Sequence, residues 1–209
     1  MPGSLGSDPG TYDSAPLMSG EASCGGGRCM DVAIVYESLL GHTRTVAEAI
    51  ADGVRDGDPA AHVTLMRVAE AKTGQIERAV LLVVGGPTHV HGMTSRPTRR
   101  KGLESEQKAT AEQGLELTPE AGAAGPGIRD WFGALPKARP GAHAAAFDTR
   151  ADFRLGGAAR KISRRLRRHG YHLVGKPEGF IIEGTEGPLR AGESDKARAW
   201  GAWLVSELR

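Results

Sequence analysis

The stretch from Val32 to Val54 limits what this chain can fold into more than any other. Val32-Ala33-Ile34-Val35-Tyr36 is an apolar, β-branched run that reads as a buried strand. A tight turn, Glu37-Ser38-Leu39-Leu40-Gly41-His42, follows directly. Val46, Ile50 and Val54 then recur at i, i+4 spacing with Ala47 and Ala49 beside them, which predicts an amphipathic helix that Gly57 ends. A strand feeding a helix through such a turn aims backbone N–H groups and the positive end of the helix dipole at one point, and a phosphate fits there. The hydroxyls of Ser38 and Thr43 are placed to add two donors.

The same alternation continues. His62–Val68 reads as a second strand, and Ala79–Val84 is a continuous apolar run of the kind covered on both faces of a parallel sheet. That run ends in Gly85-Gly86-Pro87-Thr88-His89-Val90-His91-Gly92. A polar, irregular region spans roughly 94–123, of which 101–113 is helix-compatible. Ile128, Trp131, Phe132 and Leu135 mark a short buried helix face. His143–Phe147 is the next strand, with Asp148-Thr149-Arg150 in the loop after it. Gly156 to His169 predicts a helix with Ala158, Ala159, Ile162 and Leu166 inward and arginines outward. The segments 171–174 and 179–183 supply the last strand position, and a helix from Glu193 buries Ala197, Trp200, Leu204 and Leu208. Strands alternating with helices predict an α/β, doubly wound, five-stranded parallel sheet with helices on both faces. Ligands of such sheets sit beyond the carboxyl ends of the strands, where the winding reverses.

Composition narrows the function. The 209 residues suffice for one domain, and the net charge of +2 with only 5% aromatics argues against a dedicated nucleic-acid binder. No apolar run is long enough to cross a membrane, and no secretory signal opens the chain, so a cytoplasmic protein is expected. Residues 1–30 are rich in Gly, Ser, Asp and Pro and predict a disordered tail before a domain at 31–209; Met30 is a candidate natural start, a hypothesis that the intact mass of the native protein tests. Cys24 and Cys29 lie in that tail and are expected to be reduced, exposed thiols.

The turn Tyr36-Glu37-Ser38-Leu39-Leu40-Gly41-His42-Thr43 resembles the phosphate loop of the flavodoxins, with Ser38, Gly41 and Thr43 on the pattern. Leu40 stands where flavodoxins usually have Thr, and His42 where Asn is common. Gly86-Pro87-Thr88 is similar to the Gly-x-Pro-Thr of flavodoxin-like quinone reductases and related FMN proteins. With Ala146-Phe147-Asp148-Thr149-Arg150 and Glu183-Gly184-Thr185-Glu186-Gly187-Pro188-Leu189, the chain looks closest to the small actinobacterial-type flavodoxin-domain proteins. Five strand positions suit the flavodoxin-like order 2-1-3-4-5. The resemblance implies FMN as cofactor. Ser38, Leu39, Leu40, Gly41, His42 and Thr43 would hold its phosphate. Pro87, Thr88, His89, Val90, His91 and Gly92 would line the isoalloxazine, with the Thr88 hydroxyl and nearby amides on its polar edge. Asp148, Thr149 and Arg150 would close the pyrimidine side.

Electron-carrying flavodoxins usually sandwich the flavin between aromatics and have a strongly acidic surface, whereas this second loop has His and the third offers only Phe153. Three functions therefore stand: cytoplasmic electron transfer to a redox partner protein, an NAD(P)H:quinone-type oxidoreductase, and a flavin-free protein-interaction module suggested by Leu39-Leu40. His89-x-His91 near His42 is a weak metal pattern with no carboxylate clearly placed as a third ligand, and no metal is expected. The basic run 160–169 reads as a solvated helix face, with docking of an acidic partner or NADPH as its functional alternative.

Overall fold

A computed structural model describes residues 29–88, 93–94, 99–100, 104, 125–152, 157–184 and 188–209. Strands β1 (Asp31–Tyr36), β2 (His62–Arg67), β3 (Leu81–Pro87), β4 (His143–Ala151), β5 (His172–Leu173) and β6 (Glu178–Ile182) alternate with helices α1 (His42–Gly57), α2 (Thr73–Arg78), α3 (Ile128–Ala134), α4 (Ala158–Arg168) and α5 (Glu193–Ser206). The strands lie parallel in the order β2-β1-β3-β4-β5, with β6 also paired to β4.

The side-chain alternation of β1 divides the core in two. Val32, Ile34 and Tyr36 face α1 and α5, while Ala33 and Val35 face the side covered by α2, α3 and α4. A strand apolar on both faces is what a sheet sandwiched between helix layers requires. On the first side, α1 and α5 approach closely enough that only glycine fits between them. A Cβ at Gly53 would sit 1.8 Å from the Arg198 carbonyl oxygen, and one at Gly201 would sit 2.3 Å from that of Ile50. Phe147, Phe180 and Trp200 meet edge to face on the same side, with centroids 6.1 to 6.4 Å apart. Gly85 makes room for that cluster, since a Cβ there would lie 2.1 Å from the Phe147 ring.

Several local expectations need correction. β4 does not end at Phe147. It continues to Ala151 because β6 pairs with its second half, from Phe147 opposite Glu178 to Ala151 opposite Ile182, so Asp148, Thr149 and Arg150 are strand residues rather than loop residues. The fifth sheet position is shared by two strands in succession, β5 against the start of β4 and β6 against its end. β3 likewise runs through Gly85 and Gly86 to Pro87, which pairs opposite Thr149. The short helix α2 carries one buried apolar residue, Ile76, too little for a periodic signal. Cys29 is disulfide-bonded rather than a free thiol, and Cys24 lies outside the described residues. Met30 accepts a hydrogen bond from the His62 amide and packs against the core, which places it with the fold. The 101–113 helix prediction falls outside the described residues apart from Glu104, which is helical.

Candidate functional site

Three chain segments meet at the carboxyl ends of β1, β3 and β4, where the winding reverses. The first is the turn from Glu37 to Gly41. The Gly41 amide donates to Ser38 Oγ at 3.0 Å, which closes the turn and leaves the Ser38 proton free to point elsewhere. Gly41 has φ +96°, a left-handed conformation that a β-carbon disfavours, and it starts α1 without a side-chain cap. The first turn of α1 holds no acidic residue, so nothing on the helix itself neutralises its positive end. Leu39 is buried and Leu40 half-buried. The buried Leu39 therefore belongs to the fold.

Hydrogen bonds lace the segments together. Thr43 Oγ1 and Thr149 Oγ1 lie 2.8 Å apart, joining the head of α1 to β4 in a buried contact. The Thr88 amide donates to the Thr149 carbonyl at 2.8 Å. The Glu37 amide donates to the Gly85 carbonyl at 2.9 Å, tying the end of β1 to β3.

Thr88 and Asp148 lie where the sequence places them, but their side chains serve the helix beside them. Thr88 Oγ1 donates to Asp148 Oδ2 at 2.8 Å and accepts from the Ala158 amide at 2.7 Å. Asp148 Oδ2 also accepts from the Ala159 amide at 3.0 Å, and Oδ1 from Arg150 Nη1 at 3.1 Å. Gly157 contributes no side chain, so Thr88 and Asp148 cap α4 from a distance in sequence. The hydroxyl proton of Thr88 is directed at Asp148 and its amide proton at the Thr149 carbonyl. Burial raises the Asp148 carboxyl above its usual value of 3.8, with the Ala159 amide, Arg150 and Thr88 pulling the other way. Arg150 lies across β6, where a Cβ on Gly179 would come within 2.4 Å of its guanidinium carbon.

The sequence reading overlooked Glu37. Its carboxylate accepts from the Ile128 amide at 2.7 Å, from Thr94 Oγ1 and from Arg99 Nη1 at 3.2 Å. Burial raises its pKa above the usual 4.5, while Arg99, Thr94 and the Ile128 amide act to lower it. Arg99 reaches on to the Pro126 carbonyl at 3.2 Å. The turn after β1 is thereby pinned to the start of α3. An acidic residue directly after an apolar strand was the available signal, but its partners lie far along the chain.

His89, Val90, His91, Gly92 and Phe153 lie outside the described residues. His42 is half-buried at the head of α1. Among the described residues no group of three or more His, Cys, Asp or Glu could hold a metal ion, and no helix is long and apolar enough to cross a membrane.

Residues 34–124 match the flavodoxin family. The chain has a flavodoxin-like fold. Solved structures bear out the fold of this flavodoxin-like chain. A flavodoxin from the domain Archaea superposes with a TM-score of 0.57 at 16% identity, covering 86% of this chain and 99% of the other. Oxidised flavodoxin 2 from Bacillus cereus gives 0.56 at 16% identity, with 85% and 99% covered. The flavodiiron core of Flv1 from Synechocystis gives 0.55 at 17% identity, covering 86% of this chain but 36% of that longer one. No curated relative matches the sequence. Flavodoxins bind FMN and pass electrons to partner proteins.

The donors at the turn suit FMN. Two hydroxyls, an uncapped helix start without carboxylates and a left-handed glycine are what a phosphate monoester needs. A Thr at position 40 would have added one more hydroxyl, and Leu40 removes it.

Proposed function

We propose that this protein binds FMN at the carboxyl ends of β1, β3 and β4 and works as a cytoplasmic electron-transfer flavoprotein. The observation that carries the reading is the Thr43–Thr149 contact, which locks the head of α1 to β4 beside the turn that would take the phosphate. Ser38, Leu39, Leu40, Gly41, His42 and Thr43 form the phosphate cradle. Pro87 to Gly92 and Asp148 to Arg150 frame the flavin, with Thr88 and Asp148 acting by holding α4 in place. FMN supplies the redox chemistry when bound, and the chain's part is to bind it, orient it and limit its contact with water.

A second reading is an NAD(P)H:quinone-type oxidoreductase, supported by Gly86-Pro87-Thr88 and by the basic outer face of α4. NADPH oxidation with a quinone acceptor separates the two, because a pure carrier does not turn over without a reductase.

The first test is an absorbance spectrum of the purified protein and a titration of the apoprotein with FMN, followed by flavin fluorescence. Flavin bands or saturable quenching are expected, and Thr43→Val should weaken binding. No flavin bands and no binding at micromolar FMN would overturn the reading.

A further inference from the structure

We propose that the outer face of α4 is a docking surface for an acidic electron-transfer protein. The inference rests on the electron-transfer reading above and names the kind of partner.

Helix α4 holds six cations in eleven residues, namely Arg160, Lys161, Arg164, Arg165, Arg167 and Arg168, and no acid. Taking these six from the chain's 27 Lys and Arg leaves 21 against 25 Asp and Glu, so the protein is acidic everywhere else on balance. On α4 the positive charge is concentrated on the outer face. Ile162 and Leu166 are fully buried beneath it, while Arg160, Arg164, Arg167 and Arg168 are exposed. Among the described residues these four have no ion-pair partner. Arg165 has a ring contact, 5.9 Å from the Phe132 centroid.

Helix stability does not explain the pattern. Cations in the last turn complement the dipole, but Arg160 and Lys161 sit in the first turn, where they oppose it. Arg160 and Arg164, Lys161 and Arg165, and Arg164 and Arg168 are like charges one helical turn apart, a destabilising arrangement. A surface kept at that expense has an external counterpart.

Position selects the partner. The head of α4 is held by Thr88 and Asp148, so the basic face begins at the candidate flavin site and a protein docked on it lies beside that site. A membrane would require apolar anchors, and the one exposed large hydrophobic among the described residues, Trp203, is on α5. Nucleic acid would favour interleaved aromatics, and α4 has none. A folded acidic protein meets the remaining requirement, carboxylates spaced to face arginines on successive turns.

The test uses the full chain, loaded with FMN, and a plant-type ferredoxin as an acidic one-electron probe. Binding is measured by calorimetry at low and high salt for the parent and for the triple variant Arg160→Glu/Arg164→Glu/Arg168→Glu. The parent should bind, lose affinity as salt rises, and lose on the order of tenfold or more in the variant. The variant should keep its far-ultraviolet circular dichroism, since an acid in the first turn of α4 complements the dipole that Arg160 opposes. Arg→Gln at the same three positions serves as a milder second variant. Unchanged affinity in both variants would overturn the proposal. So would tighter, arginine-dependent binding of single-stranded RNA, phosphatidylserine vesicles or NADPH than of ferredoxin. Ferredoxin binding by a chain that refuses FMN would keep the docking surface and remove the flavin reading.

Discussion

Glu37 and Arg99 form an ion pair inside the protein, with Oε1 and Nη1 3.2 Å apart and the two side chains 0% and 4% exposed. The pair joins the turn after β1 to Arg99, and the Ile128 amide donates to the same carboxylate. The two residues are far apart in the sequence.

Removing one partner of a buried pair leaves an uncompensated charge. Arg99→Met should destabilise the fold by about 3–5 kcal/mol, read from urea denaturation. Adding Glu37→Gln to that variant should restore part of the loss, because the buried charge goes with it. A strictly additive double variant would show that the two groups do not interact.

Asp148 gives a pH dependence with a definite sign. Burial raises its folded-state pKa above 3.8, so the folded chain holds this proton more tightly than the unfolded chain. The stability attached to the group is fullest below the unfolded value and is lost as pH rises through the raised folded value. Asn retains an acceptor for the α4 cap and does not titrate. Asp148→Asn should therefore gain stability relative to the parent as pH rises above the ordinary carboxylate value, in thermal melts of both proteins.

The close approach of α1 and α5 predicts a contrast between glycines. Gly201→Ala should destabilise by about 1–3 kcal/mol, because its Cβ meets backbone that cannot yield freely. Gly74→Ala in α2 has nothing within 4 Å and a helical backbone, and it should stabilise by about 0.4–1 kcal/mol. Chemical denaturation of the two variants checks both signs.

Gly41→Ala combines strain with loss of function. At φ +96° the substitution should cost about 1–2 kcal/mol of stability. It should also weaken FMN binding by distorting the turn, in the same fluorescence titration as the parent. Stability lost without any change in FMN affinity would separate the turn from the flavin site.

The strand order was implied by the resemblance to flavodoxins, whereas local sequence was enough to specify the strand–turn–helix unit at 32–57 and the alternation of strands with helices. These follow from periodicity and from glycine and hydroxyl chemistry within a few residues. What individual side chains in those segments do was settled by long-range packing. The shared fifth strand position, the continuation of β4 through Arg150, the commitment of Thr88 and Asp148 to α4, and the burial of Glu37 against Arg99 all depend on partners distant in the chain. A hydroxyl or carboxylate in a turn looks the same in sequence whether it faces a ligand or caps a helix. Its packed neighbours determine which, because a buried polar group must be satisfied by whatever the fold brings within reach.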